Sequence, residues 1–113
     1  MTTRHCFALD LKDDAELIEQ YKAYHSPNGV WPEIVDSIRV AGIEHLDIYL
    51  VGNRLFMIME VDDSFSFAAK TQADNSNAKV IAWEELMWKF QQQLPWAKDN
   101  EKWLLMENIF SLA

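Results

Sequence analysis

Ile43-Glu44-His45-Leu46-Asp47-Ile48-Tyr49-Leu50-Val51-Gly52-Asn53-Arg54-Leu55-Phe56-Met57-Ile58-Met59-Glu60-Val61 reads as a β-hairpin. Gly52-Asn53 is a tight two-residue turn, and the runs on either side are rich in β-branched and aromatic residues. One arm runs from Ile43 to Val51 and the other from Arg54 to Val61. Leu55, Phe56, Met57, Ile58 and Met59 are apolar at both parities. The second arm is therefore predicted to be covered on both of its faces.

On the N-terminal side of the hairpin, His5 to Asp10 reads as a strand. Asp13 and Glu16 have the spacing of a capping box and predict a helix start. The apolar stripe of that helix runs Leu17, Ile18, Tyr21, Tyr24 and on to His25. Ser26-Pro27-Asn28-Gly29 must break it. Pro32 suits the first position of a second helix and Glu33 its positive end. Ile34, Ile38 and Ala41 form the inner stripe there, and Gly42 is the natural stop. On the C-terminal side, Asp62-Asp63-Ser64 can cap a short helix through Phe65, Phe67 and Ala68. Residues 74–77 are polar and read as a loop. A helix is predicted over 78–92, with Val80, Trp83, Leu86, Met87 and Phe90 as its stripe, followed by a loop over 94–100 and a last strand over 103–112.

The order is β-α-α-β-β-α-α-β. With each helix pair counted as a unit, it is the ferredoxin-like βαββαβ pattern of an α+β domain. Such a sheet carries helices on one face only. A second copy of the chain is the simplest cover for the other, which predicts a homodimer.

A chain of 113 residues is one domain by size, spanning 1–113, and half of its residues are hydrophobic, enough for a core. No apolar run approaches the roughly 20 residues of a membrane span. The first residues lead into a strand rather than the apolar stretch of a signal peptide, so the cytoplasm is the expected location. A net charge of -8 argues against non-specific nucleic-acid binding and against anionic membranes, and suits a neutral ligand better than a phosphorylated one. Gly29, Gly42 and Gly52 are the only glycines, and none lies in a GxGxxG or Walker-type pattern. Cys6 is the only cysteine, so no intrachain disulfide can form.

The histidines do not read as metal ligands. His5, His25 and His45 are twenty residues apart on different elements, with no HxH or HExxH spacing. No serine stands in a nucleophile elbow. General acid–base chemistry fits better. Histidine titrates near neutrality, and His25 ends a helix one turn after Tyr21, on the same buried face. The bland alternative is a core histidine closing a helix. Trp88 falls off the stripe of its helix, on the order of 150° from the centre at 100° per residue. Such an indole could stack on a sugar ring, pack on a partner subunit or lie under the following loop. Glu33, Asp47, Glu60 and Glu107 are possible bases, with Glu60 and Glu107 preferred because an inward carboxylate on an apolar strand is unusual.

Tyr21-x-x-x-His25 followed by Trp31-Pro32-Glu33 resembles the signature of the L-rhamnose mutarotases. Ile48-Tyr49-Leu50, Asn53-Arg54-Leu55-Phe56, Trp88-Lys89-Phe90 and Ile109-Phe110-Ser111-Leu112 support the resemblance, which covers essentially the whole chain. It implies a small dimeric α/β-barrel enzyme that needs no cofactor. The implied activity is interconversion of the α and β anomers of a 6-deoxy sugar in the cytoplasm. The family's proton-donating histidine matches His25, and its sugar-binding tyrosine matches Tyr21. Its adjacent tryptophan pair matches Met87 and Trp88, so one indole is replaced, and a second sugar-binding tyrosine falls on Leu46. The loop from His25 to Trp31 is two residues longer than the pattern. With the changes at Leu46 and Met87, L-fucose fits a remodelled pocket as well as L-rhamnose.

Ring opening at C1 requires an acid at the ring oxygen and a base at the anomeric hydroxyl. The expectation from the resemblance is His25 as acid, Tyr21 orienting a hydroxyl and Trp88 stacking on the ring. Two other readings share the architecture: a haem-type monooxygenase, an argument from fold alone, and a dimeric ligand-binding module without catalysis.

Overall fold

The computed structural model describes residues 2–112; Met1 and Ala113 lie outside them. The order of the elements is β1 (Thr3–Leu11), α1 (Ala15–Tyr24), α2 (Pro32–Val40), β2 (Ile43–Val51), β3 (Arg54–Val61), α3 (Phe67–Asn75), α4 (Ala78–Trp88), β4 (Gln91–Gln92) and β5 (Leu104–Leu105). The strands form one antiparallel sheet in the order β2-β3-β1-β4, with β5 also paired to β1. This is the ferredoxin-like α+β arrangement. Gly52 takes φ 59°, the left-handed conformation that a two-residue hairpin turn with glycine first demands.

The two faces of the sheet differ. Phe7, Leu9 and Leu11 of β1 point to the helices, and Leu55, Met59 and Val61 of β3 are buried with them. Leu11 and Leu55 share a core with Tyr21, Ile34, Val80, Trp83, Met87 and Phe90 from the helical layer and the segment after α4. Phe7, Ile43, Met59 and Val61 form a second cluster. A register shift between Ile43 and His45 turns β2 over by one residue, so Ile43, Leu46 and Ile48 all reach the helical side. On the other face the half-exposed Arg54 guanidinium grips the buried Asp10 carboxylate through two hydrogen bonds, 2.8 and 3.2 Å.

Helix starts follow side-chain capping. Asp14, not Asp13, caps α1: its Oδ1 accepts from the backbone N–H groups of Glu16 and Leu17 at 3.0 and 3.1 Å. Ser66 rather than the Asp62–Ser64 run caps α3, and Asp62 folds back on Ser64 to make a turn. The expected loop over 74–77 shrinks to Ser76-Asn77, because Asn77 starts α4 at once by capping Lys79 and Val80. Gly42 ends α2 at φ 93°, where a Cβ would meet the Asp62 carboxylate at 2.5 Å.

Two expectations at the C-terminal end are corrected. The helix predicted to reach Gln92 stops at Trp88, and Gln91-Gln92 pairs with Leu11 and Asp10 instead. The N–H of Lys12 donates to the Phe90 carbonyl at 2.8 Å and holds the exit in place. The last strand is two residues long rather than ten. Leu104 and Leu105 pair with the edge of β1, and the Met106 N–H donates to the Cys6 carbonyl at 2.7 Å; residues 107–112 run on without regular structure.

Candidate functional site

α1 ends so that His25 becomes its C-cap, half-buried against the core. The imidazole stacks on Tyr21, ring centroids 4.4 Å apart, and Trp83 meets it edge-on at 5.7 Å. His25 Nδ1 lies 2.8 Å from the Tyr21 carbonyl oxygen. A carbonyl can only accept, so Nδ1 carries the proton and the lone pair of the neutral ring resides on Nε2. Burial pushes the His25 pKa below its ordinary 6.5, outweighing the opposite effect of the bond to the carbonyl. At neutral pH the ring is therefore uncharged and arrives as a proton acceptor.

Tyr21 is 3% exposed. Its hydroxyl accepts a hydrogen bond from Gln91 Nε2 at 3.2 Å. Burial pushes the phenol up to about 12; the Gln91 bond pulls the other way and the charge of Glu84 adds to the rise. The phenol keeps its proton throughout the ordinary range of pH.

Both rings line a cavity of about 440 Å³ between the sheet and the helical layer. Its walls are Leu46, Ile48, Met57 and Met59 from the hairpin, Ile34 and Ile38 from α2, and Val80, Trp83 and Met87 from α4. Val30, from the turn after α1, and Trp103 close it. Lys70, Thr71, Asp74 and Glu84 supply polar groups. Ligand cavities of about 300–1,000 Å³ with apolar walls and a few polar groups are typical for small molecules. A larger open cleft of about 610 Å³ lies between α2 and α3, but neither histidine nor tyrosine lines it, so the chemistry belongs to the smaller one.

Of the residues singled out from the sequence, the fold brings Tyr21, His25, Leu46 and Met87 to this cavity. Trp88 is not among them. Its ring, 38% exposed, stands over a shallow groove on the outer side of α4, and Lys102 Nζ lies 4.9 Å from the ring centroid. The angular offset read from the sequence was real: the indole faces away from this cavity and stands against Lys102 in the following loop. Glu60 and Glu107 do not reach the cavity either. Glu60 lies one residue off the inward parity of β3 and pairs with Arg4 at 3.0 Å, and Glu107 is exposed beyond β5. The carboxylates that do line the cavity are Asp74, paired with Lys70, and Glu84, paired with Lys102 at 3.2 Å. The sequence reading missed Gln91. The available signal was a polar residue one helical turn beyond Met87, on a stripe otherwise apolar.

The chain is similar to known proteins along nearly its whole length. A family model described as L-rhamnose mutarotase matches residues 4–112. A protein of Xanthomonas campestris pv. campestris named L-fucose mutarotase is 46% identical over 110 residues, covering 97% of this chain and 88% of its own length. The crystal structure of an L-rhamnose mutarotase from Formosa agariphila superposes with a TM-score of 0.70 over 98% of this chain and 99% of that one, at 23% identity. Tetracenomycin F2 cyclase from Streptomyces glaucescens, a type-II polyketide cyclase, shares the fold at 17% identity and a TM-score of 0.60, over 98% of this chain and 97% of its own.

Proposed function

The chain belongs to the L-rhamnose mutarotase family and is an isomerase of that kind, and on this premise we propose that it interconverts the α and β anomers of a 6-deoxy-hexose in the cavity that holds His25 and Tyr21. The carrying observation is the pair of stacked rings: a neutral imidazole with Nδ1 tied back, beside a buried phenol that stays protonated. The apolar walls suit the methyl group that distinguishes a 6-deoxy sugar. L-fucose is the first substrate to test, because the relative at 46% identity carries that name; L-rhamnose is the second. Family membership sets aside the haem-type reading, which rested on fold alone, and the non-catalytic one.

In this mechanism His25 starts as base rather than acid. Its Nε2 takes the proton of the anomeric hydroxyl while the bond between C1 and the ring oxygen breaks. Tyr21 donates its proton to the ring oxygen. An alkoxide, close to hydroxide in basicity, is a stronger base than even this phenolate, so the transfer runs downhill. The aldehyde rotates about C1–C2. The ring oxygen then attacks the other face and returns its proton to Tyr21, while His25 restores the proton to O1. Positioned proton transfer of this sort accounts for about 10²–10⁴-fold.

The pH profile tests that assignment. A proton acceptor works when neutral, so kcat/KM holds a plateau through neutrality and falls as pH drops through a midpoint below 6.5, the direction in which burial moves His25. Saturation-transfer NMR on the anomeric protons of L-fucose and L-rhamnose, read from about pH 5 to 8, gives the curve. A rate that instead climbs as the pH falls would make His25 an acid in the free enzyme and reverse the assignment.

We also propose a homodimer as the working unit. Tyr49 and Val51 of β2 are exposed, as are Ile109, Phe110 and Leu112 in the C-terminal segment, and stranded apolar area of this kind marks an interface. Light scattering on the purified protein should give twice the monomer mass, and Phe110→Asp should shift it toward one. A monomeric wild type rejects the idea. Among the described residues no helix is long and apolar enough to cross a membrane. The cytoplasm is our proposed compartment, from the lone Cys6 in a small domain.

A further inference from the structure

Gln91 is 4% exposed and sits on β4, where its backbone pairs with Leu11. Its side chain lines the cavity. One half of the amide is used: Nε2 donates to the Tyr21 hydroxyl. The other half is not. Oε1 is buried and meets no hydrogen-bond donor among the described residues. Burying an amide oxygen unpaired is costly, and native structures reserve such groups for a partner that arrives later, a ligand or an ordered water.

The chemistry narrows the partner. Because the Tyr21 oxygen accepts from Nε2, its own proton is left to point at the ligand. The two residues therefore offer one donor and one acceptor side by side. A single neutral ligand meets both if it presents its ring oxygen to Tyr21 and the proton of a nearby ring hydroxyl to Gln91. We propose that Gln91 is a substrate-binding, specificity-determining residue whose Oε1 accepts a hydrogen bond from one of the sugar's non-anomeric ring hydroxyls, on C2, C3 or C4, while Tyr21 contacts the ring oxygen. This rests on the mutarotase reading of the same cavity. It adds which residue requires a hydroxyl there, and it gives Gln91 a second role in holding Tyr21 in place. Met87 and Trp83 pack around the same space without polar atoms that could substitute, save the indole N–H, which can only donate.

The test pairs ligand and protein deletions. Anomer exchange is measured on L-fucose or L-rhamnose and on the sugar's mono-deoxy analogues at C2, C3 and C4, with wild-type protein and Gln91→Met, which keeps the volume and removes both polar atoms. For the wild type, one analogue should lose about 10- to 100-fold in kcat/KM, the size of one buried hydrogen bond. In Gln91→Met the parent sugar should lose a similar factor, chiefly in KM, and that analogue should lose nothing further. The acid limb set by His25 stays where it is. If every analogue matches the parent with wild-type protein, the proposal is overturned without reference to the variant's folding. If Gln91→Met still discriminates among the analogues as the wild type does, it is overturned too. Should wild-type protein exchange no sugar at all, the mutarotase reading falls and this one falls with it.

Discussion

Replacing His25 with alanine should reduce enzyme-dependent anomer exchange by about 10²–10⁴-fold, the range that a positioned proton-transfer group contributes. The change removes the one group in the cavity that can both take and give a proton near neutrality. Tyr21, pushed up to about 12, cannot replace it as a base. The carboxylates that line the cavity, Asp74 and Glu84, are each engaged by a lysine. Sugar affinity should change far less, since the walls and the Tyr21–Gln91 pair remain, so the loss should appear in kcat. Added imidazole should recover part of the rate by diffusing into the vacated space. The measurement is saturation transfer between the α and β anomeric peaks, corrected for the exchange that proceeds in buffer alone. Undiminished exchange in a folded His25→Ala protein would remove His25 from the mechanism.

The largest effect on stability is expected at Trp83. This indole is buried at the centre of the helical layer and touches three other rings: Trp31 at 5.2 Å, His25 at 5.7 Å and Tyr24 at 6.2 Å between centroids, all edge-on. It belongs to the core cluster that also includes Leu11, Tyr21, Ile34 and Met87. Truncation to alanine leaves a cavity that the sheet on one side and three helices on the other cannot close together. Core Trp→Ala changes cost about 3–5 kcal/mol, a large share of the roughly 5–15 kcal/mol that holds a domain folded. Urea denaturation should show the midpoint falling with little change in slope. Because Trp83 is also a wall for His25, the variant should lose exchange activity even at temperatures where it remains folded. Trp83→Phe should recover most of the stability. A loss under about 1 kcal/mol for the alanine variant would mean that the packing seen here is not limiting.

The gap between the chain's local signals and its final form is clearest at α4. Val80, Trp83 and Met87 are buried as the stripe predicted. That same stripe continues to Phe90 and Gln91, and periodicity read it as helix to the end. The strand β1 offers unpaired backbone groups at Asp10 and Leu11, and pairing with them outweighs about one more helical turn. The reverse happened in the C-terminal segment. Ile109-Phe110-Ser111-Leu112 has strand composition, yet among the described residues it pairs with no strand and stays irregular and exposed. β-structure needs a partner, and composition alone does not supply one.

The site divides along the same line. Tyr21 and His25 were legible because a helix repeats every 3.6 residues: four positions apart means one face, and the Ser26-Pro27-Asn28-Gly29 break puts His25 at the end of it. The hairpin, Gly42 as a stop and the ferredoxin-like order were legible for similar reasons, since turns, caps and binary patterns act over a few residues. Trp88, Glu60 and Gln91 were not. Trp88 turned outward to Lys102, Glu60 to Arg4, and Gln91, whose place on the stripe gave no hint of its partner, inward to Tyr21 seventy residues away. Which way a side chain finally faces depends on what the rest of the chain brings against it. Chain-local chemistry therefore supplied the elements, their order and the pairing of Tyr21 with His25 on one face, while the partners of each polar group, and with them the neutral state of His25 and the orphaned oxygen of Gln91, arose only from burial and contact in the folded molecule.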